Sequence, residues 1–108
     1  MQVQIVEFEV QGVSAGAYAE HSEAVAPAFA ELPGLLAKLW IHDPRSNRAG
    51  GVYAWSDAAA REAYLASELY GALQANPALG NVRSRHYDVL ERPSRITRGD
   101  LAAAPALR

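Results

Sequence analysis

The chain has no cysteine among its 108 residues. That excludes disulfides, thiolate metal sites and a cysteine nucleophile, and leaves the compartment undecided. It also has no apolar run near the ~20 residues that cross a bilayer, so no membrane partner is expected. No basic and then apolar leader is expected, since the alternating strand begins at once. A cytoplasmic protein is the expectation. A basic stripe is missing too. The net charge is −2, and acidic residues interrupt the run Arg83, Arg85, Arg92, Arg95 and Arg98. Nucleic acid is therefore not an expected partner. The histidines (His21, His42 and His86) are scattered, with no His-x-His or carboxylate cluster, so no metal site is expected.

What is present suffices for one domain. Half the residues are hydrophobic and a fifth are charged, an ordinary globular balance. Residues 1–93 read as the domain and 94–108 as a tail, expected to pack on a partner subunit. Gln2 to Val10 alternates, with Gln4, Val6, Phe8 and Val10 on one face and Val3, Ile5, Glu7 and Glu9 on the other. Ser14 is placed to cap a helix running to about Glu31, with Tyr18, Val25, Phe29 and Leu32 near one side. Pro27 should kink that helix, and Pro33-Gly34 stops it.

A second strand spans Leu35 to His42. Parity puts Leu35, Ala37, Leu39 and Ile41 on one face and Leu36, Lys38, Trp40 and His42 on the other. A polar turn follows, then a third strand from about Ala49 to Trp55. Ser56 or Asp57 caps a second helix from Ala58 to about Ala75. Gly80-Asn81 marks a loop before a fourth strand, Val82 to Leu90, which Pro93 ends. The order βαββαβ predicts an α+β, ferredoxin-like fold: four antiparallel strands with two helices on one face. The opposite sheet face then carries Ile5, Leu36 and Trp40 uncovered. Face-to-face packing in a homodimer would bury them.

Several short motifs fall in a telling order: Pro33-Gly34, Lys38-x-Trp40, Gly50-Gly51-Val52-Tyr53, Ser56-Asp57, Ala63-Tyr64-Leu65, Tyr87-Asp88-Val89 and Ser94-x-Ile96. Together with Pro27 they make nearly the whole chain resemble the YdhR-like monooxygenase family. The resemblance implies a dimeric α/β barrel, in which two ferredoxin-like subunits face each other. It also implies relatives that include cofactor-independent monooxygenases of aromatic polyketide pathways and haem-degrading enzymes.

The candidate residues follow from strand parity and side-chain chemistry. Lys38, Trp40 and His42 should share the space between the two sheets, with Leu36 and Ile5. There Trp40 would stack on a flat ligand and Lys38 would pair with a phenolate or carboxylate. His42, His86 and Glu7 are the candidate bases, although Glu7 or Glu9 alternatively pairs with an arginine of the fourth strand. Tyr53 would donate to an oxyanion or peroxide, and Trp55 would line the pocket; alternatively both pack beneath the second helix. Gly50-Gly51 marks a bulge or a close approach. The expected activity is oxygenation of a hydroxyaromatic or polyketide-like molecule by O2, with no cofactor, because the substrate anion supplies the electrons. A cofactor-free isomerase, cyclase or dehydratase, or a non-catalytic binding module, are the alternatives.

Overall fold

The computed structural model describes residues 1–101. Strand β1 (Gln2–Val10) is followed by α1 (Ala15–Ala30), β2 (Leu35–Asp43) and β3 (Arg48–Trp55). Then come α2 (Ala58–Leu65), α3 (Glu68–Ala75), β4 (Leu79–Asp88) and α4 (Glu91–Ile96). The sheet order is β2-β3-β1-β4, antiparallel at every pairing. This is the ferredoxin-like α+β fold expected from the element order.

The helix starts agree with the sequence. Ser14 Oγ accepts from the Ala17 N–H at 3.1 Å, and Asp57 caps α2 through the Ala60 N–H at 2.8 Å. The first helix passes through Pro27 to Ala30. The second expected helix is instead two. Ser67 Oγ donates to the Tyr64 carbonyl at 2.6 Å and accepts from the Tyr70 N–H at 3.2 Å. The hydroxyl thus closes one helix and caps the next, a local competition with the helical ladder. Strand β4 starts three residues early, because Gly80-Asn81 lies within the strand. Asn81 takes a left-handed φ of 52°, and the pairing with β1 slips between Glu7 and Glu9, as at a bulge. Beyond it, α4 contains Pro93 as its third residue, where the missing N–H costs no helical bond. Residues 102–108, nearly half of the expected tail, lie outside the described residues.

The core lies between the sheet and α1, α2 and α3. Val6, Phe8, Tyr53, Trp55, Tyr64 and Phe29 are buried there. Tyr53 and Trp55 stack nearly parallel, 5.8 Å between centroids, and the Tyr53 and Tyr64 hydroxyls share a hydrogen bond of 2.9 Å. Both rings therefore pack beneath the second helical segment.

One buried polar chain crosses this core. Trp55 Nε1 donates to Gln4 Oε1 at 2.9 Å, and Gln4 Nε2 donates to Ser84 Oγ at 2.9 Å. Gln4 and Trp55 are both 0% exposed. Gln4→Leu keeps the volume and strands the indole N–H, which costs about 2 kcal/mol. Thermal unfolding should show a midpoint lower by roughly 10 °C; an unchanged midpoint would mean that the network contributes nothing.

Strand β2 departs from the parity expected of it. Leu35 pairs with Trp55 and Ala37 with Ala54, so Leu36 is an extra residue in the ladder. This shift decides which face is which. Leu35 joins the helix-side core. Beyond the bulge, Lys38 stands opposite Tyr53, Trp40 opposite Gly51 and His42 opposite Ala49. Tyr53, Gly51 and Ala49 are buried on the helix side. Lys38, Trp40 and His42 therefore face the helices, not the open face. The apolar residues Leu39 and Ile41 take the open face, Leu39 being 67% exposed, and Ile5 lies opposite Val52 on that same side.

Candidate functional site

The turn of β2 toward the helices creates the site. A cavity of about 170 Å³ lies between α1, α3 and the sheet. Phe8, Lys38, Trp40 and Tyr53 reach it from the strands. From α1 come Tyr18, His21, Ser22, Val25 and Phe29, spaced three or four residues apart so that they share one face. Leu69, Ala72, Leu73 and Asn76 repeat the spacing along α3. The lining is overwhelmingly apolar, with a few convergent polar groups, the usual character of a small-molecule site.

Lys38 is the unusual member. The sequence holds nine arginines and a single lysine, and that lysine is in this cavity. Its Nζ lies 3.4 Å from the centroid of Phe29, 3.4 Å from Trp40 and 4.6 Å from Tyr53. No ion pair among the described residues includes it. Two effects oppose each other here. The ring faces attract an ammonium, whereas burial disfavours any charge. Burial pushes the amine down from 10.5 to about 7, and the ring faces pull in the opposite sense. Gly51 makes room for it: a Cβ there would stand 2.7 Å from Lys38 Cε.

The depressed amine makes stability depend on pH. Between about 7 and 10.5 the unfolded chain holds a proton on Lys38 that the folded chain has released. Stability from this residue therefore rises with pH across that window, and its cost is fully present below pH 7. Lys38→Met should raise the melting midpoint most at pH 6 to 7, with the gain shrinking toward pH 10. Paired melts of parent and variant measure it, and a gain independent of pH would contradict the assignment.

The other candidates are dispersed. His42 sits just outside the cavity, in a groove that also contains Tyr18, Ser22 and Trp40, its ring 5.1 Å from that of Tyr18. Tyr53 borders the cavity, but its hydroxyl is committed to Tyr64 and burial drives its pKa far up. Tyr64 is likewise pushed by burial to about 12. Trp55 lies one layer deeper, against Tyr53 and Tyr64. Leu36 lies in a shallow groove beyond Trp40, with Ala26 and Ala30. Ile5 and Glu7 are on the open face, where Glu7 Oε1 accepts from Arg85 Nη2 at 3.2 Å. Glu9 accepts from the Asn81 side chain at 2.8 Å. His86, opposite Gln4 on the edge strand β4, is exposed and away from the cavity.

His21, Ser22 and Asn76 were not among the expected site residues. The signal for the first two was in the sequence: they interrupt the apolar stripe of Tyr18, Val25 and Phe29 with polar groups. Among the described residues, no three histidine or carboxylate side chains come together as a metal site, and no helix is long and apolar enough to span a membrane.

The fold and the site define a ferredoxin-like domain with an apolar cavity between helices and sheet. The family model described as "Putative mono-oxygenase ydhR" matches residues 3–100, so the chain belongs to the ydhR mono-oxygenase family. Solved structures agree on the fold. A Nitrosomonas europaea protein of unknown function, NE2512, is similar at 24% identity, covering 82% of this chain and 88% of its own, with a TM-score of 0.69. The cofactor-independent oxygenase SnoaB of Streptomyces nogalater, as its N63A mutant, is similar at 22% identity over 83% of this chain and 94% of its own, TM-score 0.63. The heme-degrader MhuD of Mycobacterium tuberculosis, with two hemes in its active site, is similar at 24% identity over 83% and 96%, TM-score 0.59. No curated protein matches the chain.

Proposed function

We propose that the protein is a cofactor-independent monooxygenase of a small hydroxyaromatic. The observation that carries this reading is Lys38: a weakly basic amine between aromatic faces, in a cavity of one- or two-ring size. A void of about 150 Å³ accommodates benzene, so about 170 Å³ favours a compact phenol over a tetracyclic polyketide. Family membership and the likeness to SnoaB support the oxygenase reading.

The chemistry balances without a reductant. Lys38 takes the phenol proton and becomes the ammonium partner of the phenolate. The electron-rich ring passes an electron to O2, and the resulting pair joins through a new C–O bond. Loss of water from that hydroperoxide leaves a quinone carbonyl. One oxygen atom enters the product and the other leaves as water, and the substrate supplies all four electrons. Trp40 and Phe29 hold the ring, while His21, Ser22 and Asn76 offer hydrogen bonds to its substituents. We place no chemistry on His86 or Glu7, which lie away from the cavity.

The same reading includes a homodimer. Leu39, Ile41 and Tyr87 are exposed at 67%, 37% and 56% and lie on the open sheet face with Ile5 and Val52. A second copy packed face to face would cover them, and light scattering measures that mass directly.

Oxygen uptake with a panel of phenols and naphthols carrying a single hydroxyl, by protein stripped of metals and flavin, tests the function. Uptake with stoichiometric quinone supports it. Product formed equally well without O2 points instead to an isomerase, cyclase or dehydratase using the same amine. Tight binding without turnover points to a binding module.

A further inference from the structure

Lys38 has a capacity beyond proton transfer. It carries the sole side-chain amine of the whole sequence, and the fold places it half-buried in the wall of a cavity. No carboxylate among the described residues is paired with it. The surrounding lining is apolar, and the three rings beside it present flat faces. A desolvated lysine in an apolar pocket is the arrangement that activates an amine toward carbonyl carbon.

We propose that Lys38 captures small aromatic aldehydes as imines inside the cavity between α1, α3 and the sheet. The Nζ lone pair adds to the aldehyde carbon and forms a C–N bond. The resulting carbinolamine loses its hydroxyl with a proton as water, which leaves a C=N bond. Nothing is oxidised or reduced. The apolar lining around the amine favours the dehydrated side of this equilibrium. The flat walls select an aryl group, and a cavity of about 170 Å³ selects one or two rings. The titratable groups that line the cavity with the amine are Tyr18 and His21 from α1 and Tyr53 from β3; α3 presents Leu69, Ala72, Leu73 and Asn76.

The inference rests on the cavity and its amine, not on oxygenation, and its test needs neither O2 nor a phenol. The full chain is incubated anaerobically with benzaldehyde, reduced with cyanoborohydride, and mapped by peptide mass. With one lysine present, only the amino terminus competes for the label. The expected result is a single reduced adduct on Lys38. At pH 7.5 it should form on the order of a hundredfold faster than on a solvent-exposed lysine in a peptide, which is almost fully protonated there. Toluene, which fits the cavity and has no carbonyl, should slow it. Lys38→Arg, checked for folding by its melting curve, should leave only the terminal label. Label confined to the amino terminus would overturn the proposal. So would labelling of Lys38 at the peptide's rate, or labelling indifferent to toluene. Failure of O2 uptake alongside a Lys38 adduct would remove the oxygenase reading and leave this one standing.

Discussion

Replacing Lys38 by methionine should lower turnover of a small phenol by roughly 10²- to 10⁴-fold, the usual contribution of a positioned general base. The reasoning is geometric. Among the described residues, Lys38 is the only cavity-lining group that combines a depressed pKa, near 7, with a place against the aromatic walls. His42 is outside, Tyr53 is tied to Tyr64, and Glu7 is on the opposite face of the sheet. Methionine preserves the length of the chain and its packing against Phe29 and Trp40. Binding of the neutral aromatic should therefore survive while the chemical step is lost. Lys38→Arg should be equally inactive, since a guanidinium keeps the charge and cannot act as a base. The parent protein's kcat/KM should rise with pH and level off above about 7 as the amine loses its proton. Steady-state kinetics across pH 6 to 9 check all three. A methionine variant with unimpaired kcat would remove Lys38 from the mechanism.

The two adjacent glycines should fail in different ways. At Gly50, a Cβ would run into the Val6 carbonyl and crowd the Glu7 backbone on β1. Backbone atoms of a central strand cannot yield without opening the ladder. Gly50→Ala should cost about 3 kcal/mol, at the upper end of ordinary substitutions, and lower the melting midpoint by more than roughly 10 °C. At Gly51, the nearest atoms are Lys38 Cε at 2.7 Å and Tyr53 Cε1 at 3.1 Å. A lysine chain can swing aside. Gly51→Ala should leave the fold close to its parent stability, yet push Lys38 toward water and its pKa back toward 10.5. At pH 7.5 such a displaced amine is almost entirely protonated, so activity should fall at least ~10-fold. Melting curves and kinetics on the two variants separate the effects. Equal loss of stability in both would contradict the role given to Gly51.

The fold was legible because its signals are local and repeated. The alternation of Gln2 to Val10, the caps at Ser14 and Asp57, and the Pro33-Gly34 stop are each decided by neighbouring residues. The orientation of β2 was not legible, because it depends on one residue. Leu36 bulges against β3, and strand parity before and after it no longer matches. Counting alternate residues from Leu35 therefore assigned Lys38, Trp40 and His42 to the wrong side of the sheet. The same residues remain the interesting ones. Their partners change, from a second subunit's sheet to the helices of their own chain. Ser67 hid the break between α2 and α3 for a similar reason, since a serine within a helical pattern is equally a cap or a bystander. The residues that complete the cavity from α1, His21 and Ser22, were readable as polar intrusions in an apolar stripe. Their meaning depended on knowing what that stripe faces.

Lys38 is held to be a half-buried amine, deprotonated near neutrality, in the wall of the candidate cavity. Because the chain has a single lysine, protein labelled with 13C at lysine Cε should give one lysine signal. Its chemical shift followed against pH reports the Lys38 amine directly. The account predicts a midpoint near 7 in the free protein, moving upward when a small phenol binds and its phenolate pairs with the ammonium. A midpoint near 10.5 that no phenol displaces would contradict it.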